Sequence, residues 1–243
     1  FDRLYTCLRP TPEGMTWLPS GWDPVLHTPW DGKQEQKNDS VFIGTATERK
    51  AGFLRVLQPR LTFGNGWWDD PTLYQGHAYM PIYLHEMVAE LRNTRVAINI
   101  HRDGDTGLNR RFFEMMACTF TITDLVPGVV EVLGADLAAR VGFTDPHEAK
   151  NKLDFYLAHP EERRDLWEAE RRAIAPNTYE KTVERILPDL QRAPFPRAPP
   201  AGCSISGASG IRSKAWLPAR GERMRPPFSY ARVAGVARCR YTG

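Results

Sequence analysis

The residues best suited to chemistry fall in one run, AINIHRDGDTGLNRRFFEMMACTFTITD, residues 97–124. It reads as a buried strand ending at Ile100, a polar loop with two glycines, and a helix beginning near Leu108. Gly104 and Gly107 let the backbone come close to a phosphate. The helix start offers unpaired N–H groups and a partial positive charge to the same anion. Asn109 and Arg110 add side-chain donors there. Four residues on from Arg110, Glu114 places a carboxylate that can accept from two vicinal hydroxyls, as on a ribose. His101 and Arg102 follow the strand directly and fall where they would line the same crevice, which makes His101 a candidate catalytic group. The implied chemistry is nucleotide or phosphate binding. A plainer reading stays open: a solvated helix terminus, Glu114 as a paired surface acid and His101 as an ordinary hydrogen-bonded residue.

The elements that must position these groups are legible from periodicity. VFIGT (41–45) is an apolar, β-branched run that reads as a buried strand, and ERKAGFLRVLQ (48–58) has helical spacing. LTF (61–63) gives a second strand, closed by the turn residues GNG (64–66). An aromatic stretch with Trp67, Trp68, Tyr74 and Tyr79 reads as a loop packed on the sheet. PIYLHEMVAELRN (81–93) reads as a helix, RVAINI (95–100) as a strand, LNRRFFEMMAC (108–118) as a helix, TFTITD (119–124) as a strand and VPGVVEVLG (126–134) as a short helix. Strand, crossover and strand in repetition predict an α/β fold with a parallel sheet flanked by helices. Three helices follow, over 145–159, 160–175 and 177–192. In the second, EERRDLWEAERR (161–172) mixes charge signs and reads as a solvated face.

Composition bounds the answer further. With 42% hydrophobic and 25% charged residues among 243, the chain is neither disordered nor fibrous. No apolar run approaches the ~18 residues of a membrane span. The net charge of +3 is uneven: residues 201–243 hold eight of the 32 basic residues and one of the 29 acids, so residues 1–200 carry −4. The body is therefore no general polyanion binder, and nucleic acid is not its expected partner. The cysteines Cys7, Cys118, Cys203 and Cys239 are scattered, which points to a reducing, cytoplasmic setting. No metal is expected, since HEMVAE (85–90) has Ala89 where the zinc motif HExxH requires histidine.

FFEMMACTFTITDLVPGVVEVLG resembles the FEAMACG.P.I.TD..G..E.. segment of GT-B glycosyltransferases. The wider run, from VFIGTATERKAGFLRVL to KLDFYLAHPEERRDLWEAERRAIAPNTYEKTVERIL, is similar to the spore-maturation CgeB-like branch of that group, and the connector LPSGWDPVLHTP resembles the segment joining the two GT-B domains. The resemblance spans about residues 15–190. It implies a Rossmann-like carboxyl-terminal domain, one half of a GT-B fold, that binds a nucleoside diphospho-sugar as substrate without a cofactor. By position it places Glu114 on the ribose, Gly44 and Lys50 in the region facing the diphosphate, and Asp124 and Glu131 by the donor. The helix start from Gly104 through Gly107, Leu108, Asn109 and Arg110, with Arg102, would hold the phosphates. Thr106 stands where the family's first acid falls, with Asp105 beside it, so the resemblance makes Asp105 the second candidate catalytic group, by a one-residue shift. Thr45 replaces the family's arginine, leaving Arg49 or Lys50 to supply that charge, and Cys118-Thr119 replaces Cys-Gly.

The expected organisation is an inter-domain connector over 1–38, the nucleotide-sugar-binding domain over 39–192, and a Pro/Gly/Arg-rich, disordered tail over 193–243. The tail admits three readings: an anionic partner bound by charge, a linker, or a non-native reading frame. The acceptor is unknown, and with only a connector ahead of the domain the expectation is a donor half, inactive by itself. The alternative is a non-catalytic nucleotide-binding or protein-interaction domain of the same fold.

Overall fold

The apolar runs are hydrophobic on both faces, as strands of a sheet covered on two sides must be. The computed structural model describes residues 4–6, 11, 13–67, 74, 76–104 and 106–192, all within one unit, Phe1–Phe195. Early in the chain two short strands, β1 (Leu4–Thr6) and β2 (Met15–Trp17), pair in parallel with each other. The main sheet is built from β3 (Asn38–Ile43), β4 (Leu61–Phe63), β5 (Ala78–Tyr79), β6 (Thr94–Asn99), β7 (Thr121–Asp124) and β8 (Gly142–Phe143). All its pairs are parallel, in the order β5-β4-β3-β6-β7-β8. This is the doubly wound, Rossmann-like order, in which the chain works outward in both directions from a central pair.

Register sorts the side chains into two cores. Phe42 lies beside Ile98, and both join the larger cluster with Leu54 and Leu57 of α1 (Glu48–Leu57). Val41 lies beside Ala97, one step along each strand, and both join the smaller cluster. That cluster holds Met87, Val88 and Leu91 of α2 (Leu84–Arg92), with Met115 and Cys118 of α3 (Arg110–Cys118). Burial, then the charge on Glu114, pushes the Cys118 thiol up to about 12, so it is unreactive at neutral pH. Between β7 and β8 run α4 (Pro127–Leu133) and α5 (Ala135–Val141). After β8 come α6 (Pro146–Ala158), α7 (Pro160–Ile174), a 3-10 turn (Ala175–Asn177) and α8 (Tyr179–Arg192). Caps mark several helix starts: Thr47 accepts from the Lys50 N–H, Asn109 from the Phe112 N–H, and Asp145 from two N–H groups.

The long elements fall where periodicity puts them. The two-residue strands β5 and β8 and the seven-residue α5 are too short to show a period, and among the described residues the connector's two strands pair with each other and not with the main sheet. One reading is corrected. EERRDLWEAERR is not solvated throughout, because Glu170 is fully buried where α7 packs on α3. Its Oε2 accepts from the Thr121 N–H at 3.1 Å while Oε1 has no hydrogen-bond partner among the described residues. Burial raises its pKa well above the usual carboxylate value, which favours the neutral, protonated form in the fold. The unfolded chain releases that proton above its ordinary pKa of 4.5, so stability falls as pH rises from there toward the raised folded value. Glu170→Gln removes this dependence. In thermal melts from pH 5 to pH 8, the midpoint of the variant relative to wild type is expected to rise steadily with pH.

Candidate functional site

Parallel strands place their following loops at one edge, and a doubly wound sheet opens a crevice where the crossovers diverge. Here that point lies between β3 and β6. The turn after β3 carries Gly44, whose N–H donates to Phe63 O (2.8 Å) and whose carbonyl accepts from Trp67 Nε1 (2.8 Å). Lys50, in the first turn of α1, reaches back over this turn, its Nζ 3.4 Å from Thr45 O. The loop after β6 begins at His101 and runs to the cap residue Asn109.

Asp124, at the carboxyl end of β7, ties these loops together and is 1% exposed. Its Oδ1 accepts from the His101 N–H (2.9 Å) and sits 2.6 Å from His101 Nδ1. Arg49 Nη1 lies 2.9 Å from Asp124 Oδ2, and the same nitrogen donates to His101 O at 3.1 Å. Burial alone would raise the Asp124 pKa, but the His101 hydrogen bonds and charge, with Arg49, outweigh it and hold the carboxyl below its usual value. Arg49 is therefore engaged with the strand ends, and of the two candidate bases Lys50 is the one beside Gly44. His101 does not line an open crevice. Its side chain is wholly buried, and among the described residues its Nε2 has no hydrogen-bond partner.

Glu114 faces a second feature at the same edge. It is 5% exposed on α3, with Arg110 Nε 3.0 Å from Oε1 and Arg111 Nη1 2.8 Å from Oε2. A cavity of about 440 Å³ opens over it, bounded by Tyr83 and Leu84 at the start of α2, His27 of the connector and Tyr179 of α8. His27 Nε2 lies 3.7 Å from Glu114 Oε1. Burial and the Glu114 charge raise the Tyr179 phenol. His27 and Tyr179 reach this wall because Trp22 bridges Thr178. The Trp22 N–H donates to Asn177 O (3.2 Å) and the Tyr179 N–H to Trp22 O (3.0 Å). A Cβ on Gly21 would stand 2.7 Å from Asn177 O, so only glycine allows this approach. Leu84 holds φ at +47°, an uncommon conformation for leucine, at the rim of the cavity.

The other sequence-identified residues fall as follows. Arg102 and Gly104 are exposed in the loop, Gly104 at φ +76°, while Gly107 and Leu108 are buried. The α4 N-terminus packs on that buried stretch, the Gly128 N–H donating to Thr106 O. Asn109 spends its Oδ1 on capping α3, accepting from Phe112 N–H at 2.8 Å, so its oxygen and one helix N–H are already paired. Arg110 is exposed beside Glu114, and Glu131 is exposed on α4. Asp105 and Trp68, like the tail from 193 onward, lie outside the described residues. Trp67 and Tyr74 are buried against Phe42 and each other, whereas Tyr79 is half exposed. Sequence reasoning missed His27, Arg111 and Tyr179 at the Glu114 cavity. Only Arg111 carried a signal, its i,i+3 spacing. Among the described residues no three His, Cys, Asp or Glu side chains gather around one point, and no helix is long and apolar enough to cross a membrane.

The doubly wound parallel sheet flanked by helices matches one half of a GT-B fold. The chain belongs to the glycosyl transferase-like family, whose model matches residues 42–188. No curated protein matches it. Among solved structures it is similar to the sucrose-phosphate synthase of Thermosynechococcus elongatus (17% identity, TM-score 0.55, covering 74% of this chain and 53% of that one). It is also similar to AviGT4, a glycosyltransferase involved in avilamycin A biosynthesis (12%, TM-score 0.54, 77% and 62%). A third is the T4 phage enzyme BGT in complex with its UDP-glucose substrate (12%, TM-score 0.50, 73% and 55%). The chain spans little more than half of each of these relatives, and at such identities the likeness is one of fold.

The Asp124 cluster makes a stability prediction. Asp124→Asn keeps the shape but loses the charge facing His101 and Arg49, and is expected to cost about 2–3 kcal/mol at neutral pH. A carboxyl with a lowered folded pKa stabilises above its unfolded pKa, and that contribution is lost as pH falls through the folded value. Denaturant melts should therefore show the gap between wild type and variant closing on acidification.

Proposed function

We propose that the chain is the donor-binding part of a CgeB-like glycosyltransferase, holding a nucleoside diphospho-sugar for hexosyl-type transfer to an acceptor. The observation that carries this reading is the buried carboxylate of Glu114 under an open cavity, one turn inside a helix whose first N–H groups face the same edge. Ribose hydroxyls donating to Glu114 would displace Arg110 or Arg111, freeing a guanidinium to meet the diphosphate. Lys50 and the Gly44 turn lie outside that cavity's lining and would meet the diphosphate from the central seam of the sheet. Asp124 and His101 hold the strand ends that carry these groups and need not touch the donor. Glu131, exposed on α4, would approach the donor only from the solvent side. A leaving diphosphate is then stabilised by fixed N–H groups and basic side chains already in place. Transfer also needs an acceptor brought alongside. That the neighbour BGT was solved with UDP-glucose supports the donor class. The scattered cysteines keep the proposed setting cytoplasmic.

A second reading, nucleotide binding without turnover, is favoured by Thr106 at the place of the family's first acid. Calorimetry with UDP, GDP, uridine and their sugar conjugates, with chromatography of the donor for slow hydrolysis, tests both. Glu114→Ala is expected to weaken uridine and UDP alike by tenfold or more, as loss of hydrogen bonds to a charged group implies. Lys50→Ala should weaken UDP and leave uridine unchanged. If no nucleotide binds the wild-type chain, ribose recognition by Glu114 is wrong. Binding with donor hydrolysis supports the enzyme, and binding with none supports the second reading.

A further inference from the structure

A separate cavity of about 190 Å³ lies at the opposite, amino-terminal edge of the sheet. It is bounded by Arg95 near the start of β6, Phe120 just before β7, Trp30 of the connector, and Arg163, Arg164 and Trp167 of α7. The six residues of β6 separate Arg95 from the loop at His101, about 20 Å at ordinary strand rise. The indole N–H groups are already engaged, Trp30 Nε1 with Gln34 O (2.8 Å) and Trp167 Nε1 with Met116 O (2.9 Å), so both rings contribute apolar surface.

The three guanidinium groups are the unusual feature. Arg95 is paired with Asp39 at 2.8 Å and Glu35 at 3.3 Å. Arg163 is half buried and gives one N–H to Tyr156 O (2.6 Å); among the described residues no carboxylate pairs with it. Burial, then the like charge of Arg95, lowers its pKa. Arg164 is largely exposed at the mouth and, among the described residues, pairs with its neighbour Asp165 at 3.9 Å. One acid, the exposed Glu161, stands against three arginines among the lining residues. A half-buried cation with no carboxylate in ion-pair contact among the described residues, its charge offset only by the more distant Asp39, in a cavity with aromatic walls, is the complement of an anion with a flat or apolar body.

We propose that this cavity is a second anion site, distinct from the donor site. It takes a small organic oxyanion whose carboxylate or phosphate meets Arg163 and Arg164 and whose body lies against Trp30 and Trp167. Calorimetric titration of the full chain with phenyl phosphate, benzoate and inorganic phosphate tests this. Phenyl phosphate or benzoate is expected to bind saturably and more tightly than inorganic phosphate, and which of the two binds better identifies the head group. Arg163→Gln should weaken that binding about tenfold, and the surface change Arg164→Gln, which leaves the packing untouched, should weaken it several-fold. Lys50→Ala, at the other edge, should leave it intact. Unchanged affinity in both Arg163→Gln and Arg164→Gln would overturn the proposal. So would loss of binding in Lys50→Ala, or no binding of either aromatic anion to wild type.

Discussion

Parallel pairing of β3 with β6, Val41 beside Ala97 and Phe42 beside Ile98, is the constraint from which the site follows. A parallel neighbour is reached only through a crossover, so each strand end is followed by a loop at the same edge of the sheet. The chain leaves β3 toward β4 and leaves β6 toward β7, so the two loops part and the sheet's central seam stays open above. Gly44, Lys50 and the His101–Asn109 loop meet there for that reason alone. Both faces of the seam are packed, which makes its position rigid.

The carboxyl edge is then secured by a buried electrostatic cluster. Asp124 closes β7 onto β6 through two contacts with His101 and draws in the α1 side chain Arg49. Charges this deep persist only with partners, and here each supplies what the others lack. Groups that look catalytic by type, His101 and Asp124, are engaged with each other and with Arg49, while Arg110 is exposed and Glu114 faces a cavity.

The connector takes a larger part than a linker would. Through Trp22 it pairs with the start of α8, and through His27 it approaches Glu114. Residues far apart in the chain thereby form one wall of the Glu114 cavity. At the opposite edge Trp30 of the same connector borders the arginine-lined cavity. The connector thus touches both ends of the sheet, and a change in its path would be felt at each.

The sequence by itself determined the long elements and their order. Strands apolar on both faces and helices with a 3.6-residue stripe are local properties, set by neighbours a few positions away. It also marked Glu114 and the 101–110 loop, because the strand–loop–helix context is local too. What sequence left open was the partner of each charge. Arg49 and Lys50 are adjacent and chemically similar, and only the fold sends Arg49 to Asp124. Glu170 sits in a run that reads as solvent-facing, and only the packing of α7 on α3 buries it. The two-residue strands β5 and β8 exist because a neighbouring strand offers hydrogen bonds, with no pattern of their own. Burial and ion pairing depend on residues distant in sequence, and for these the tertiary structure alone decided.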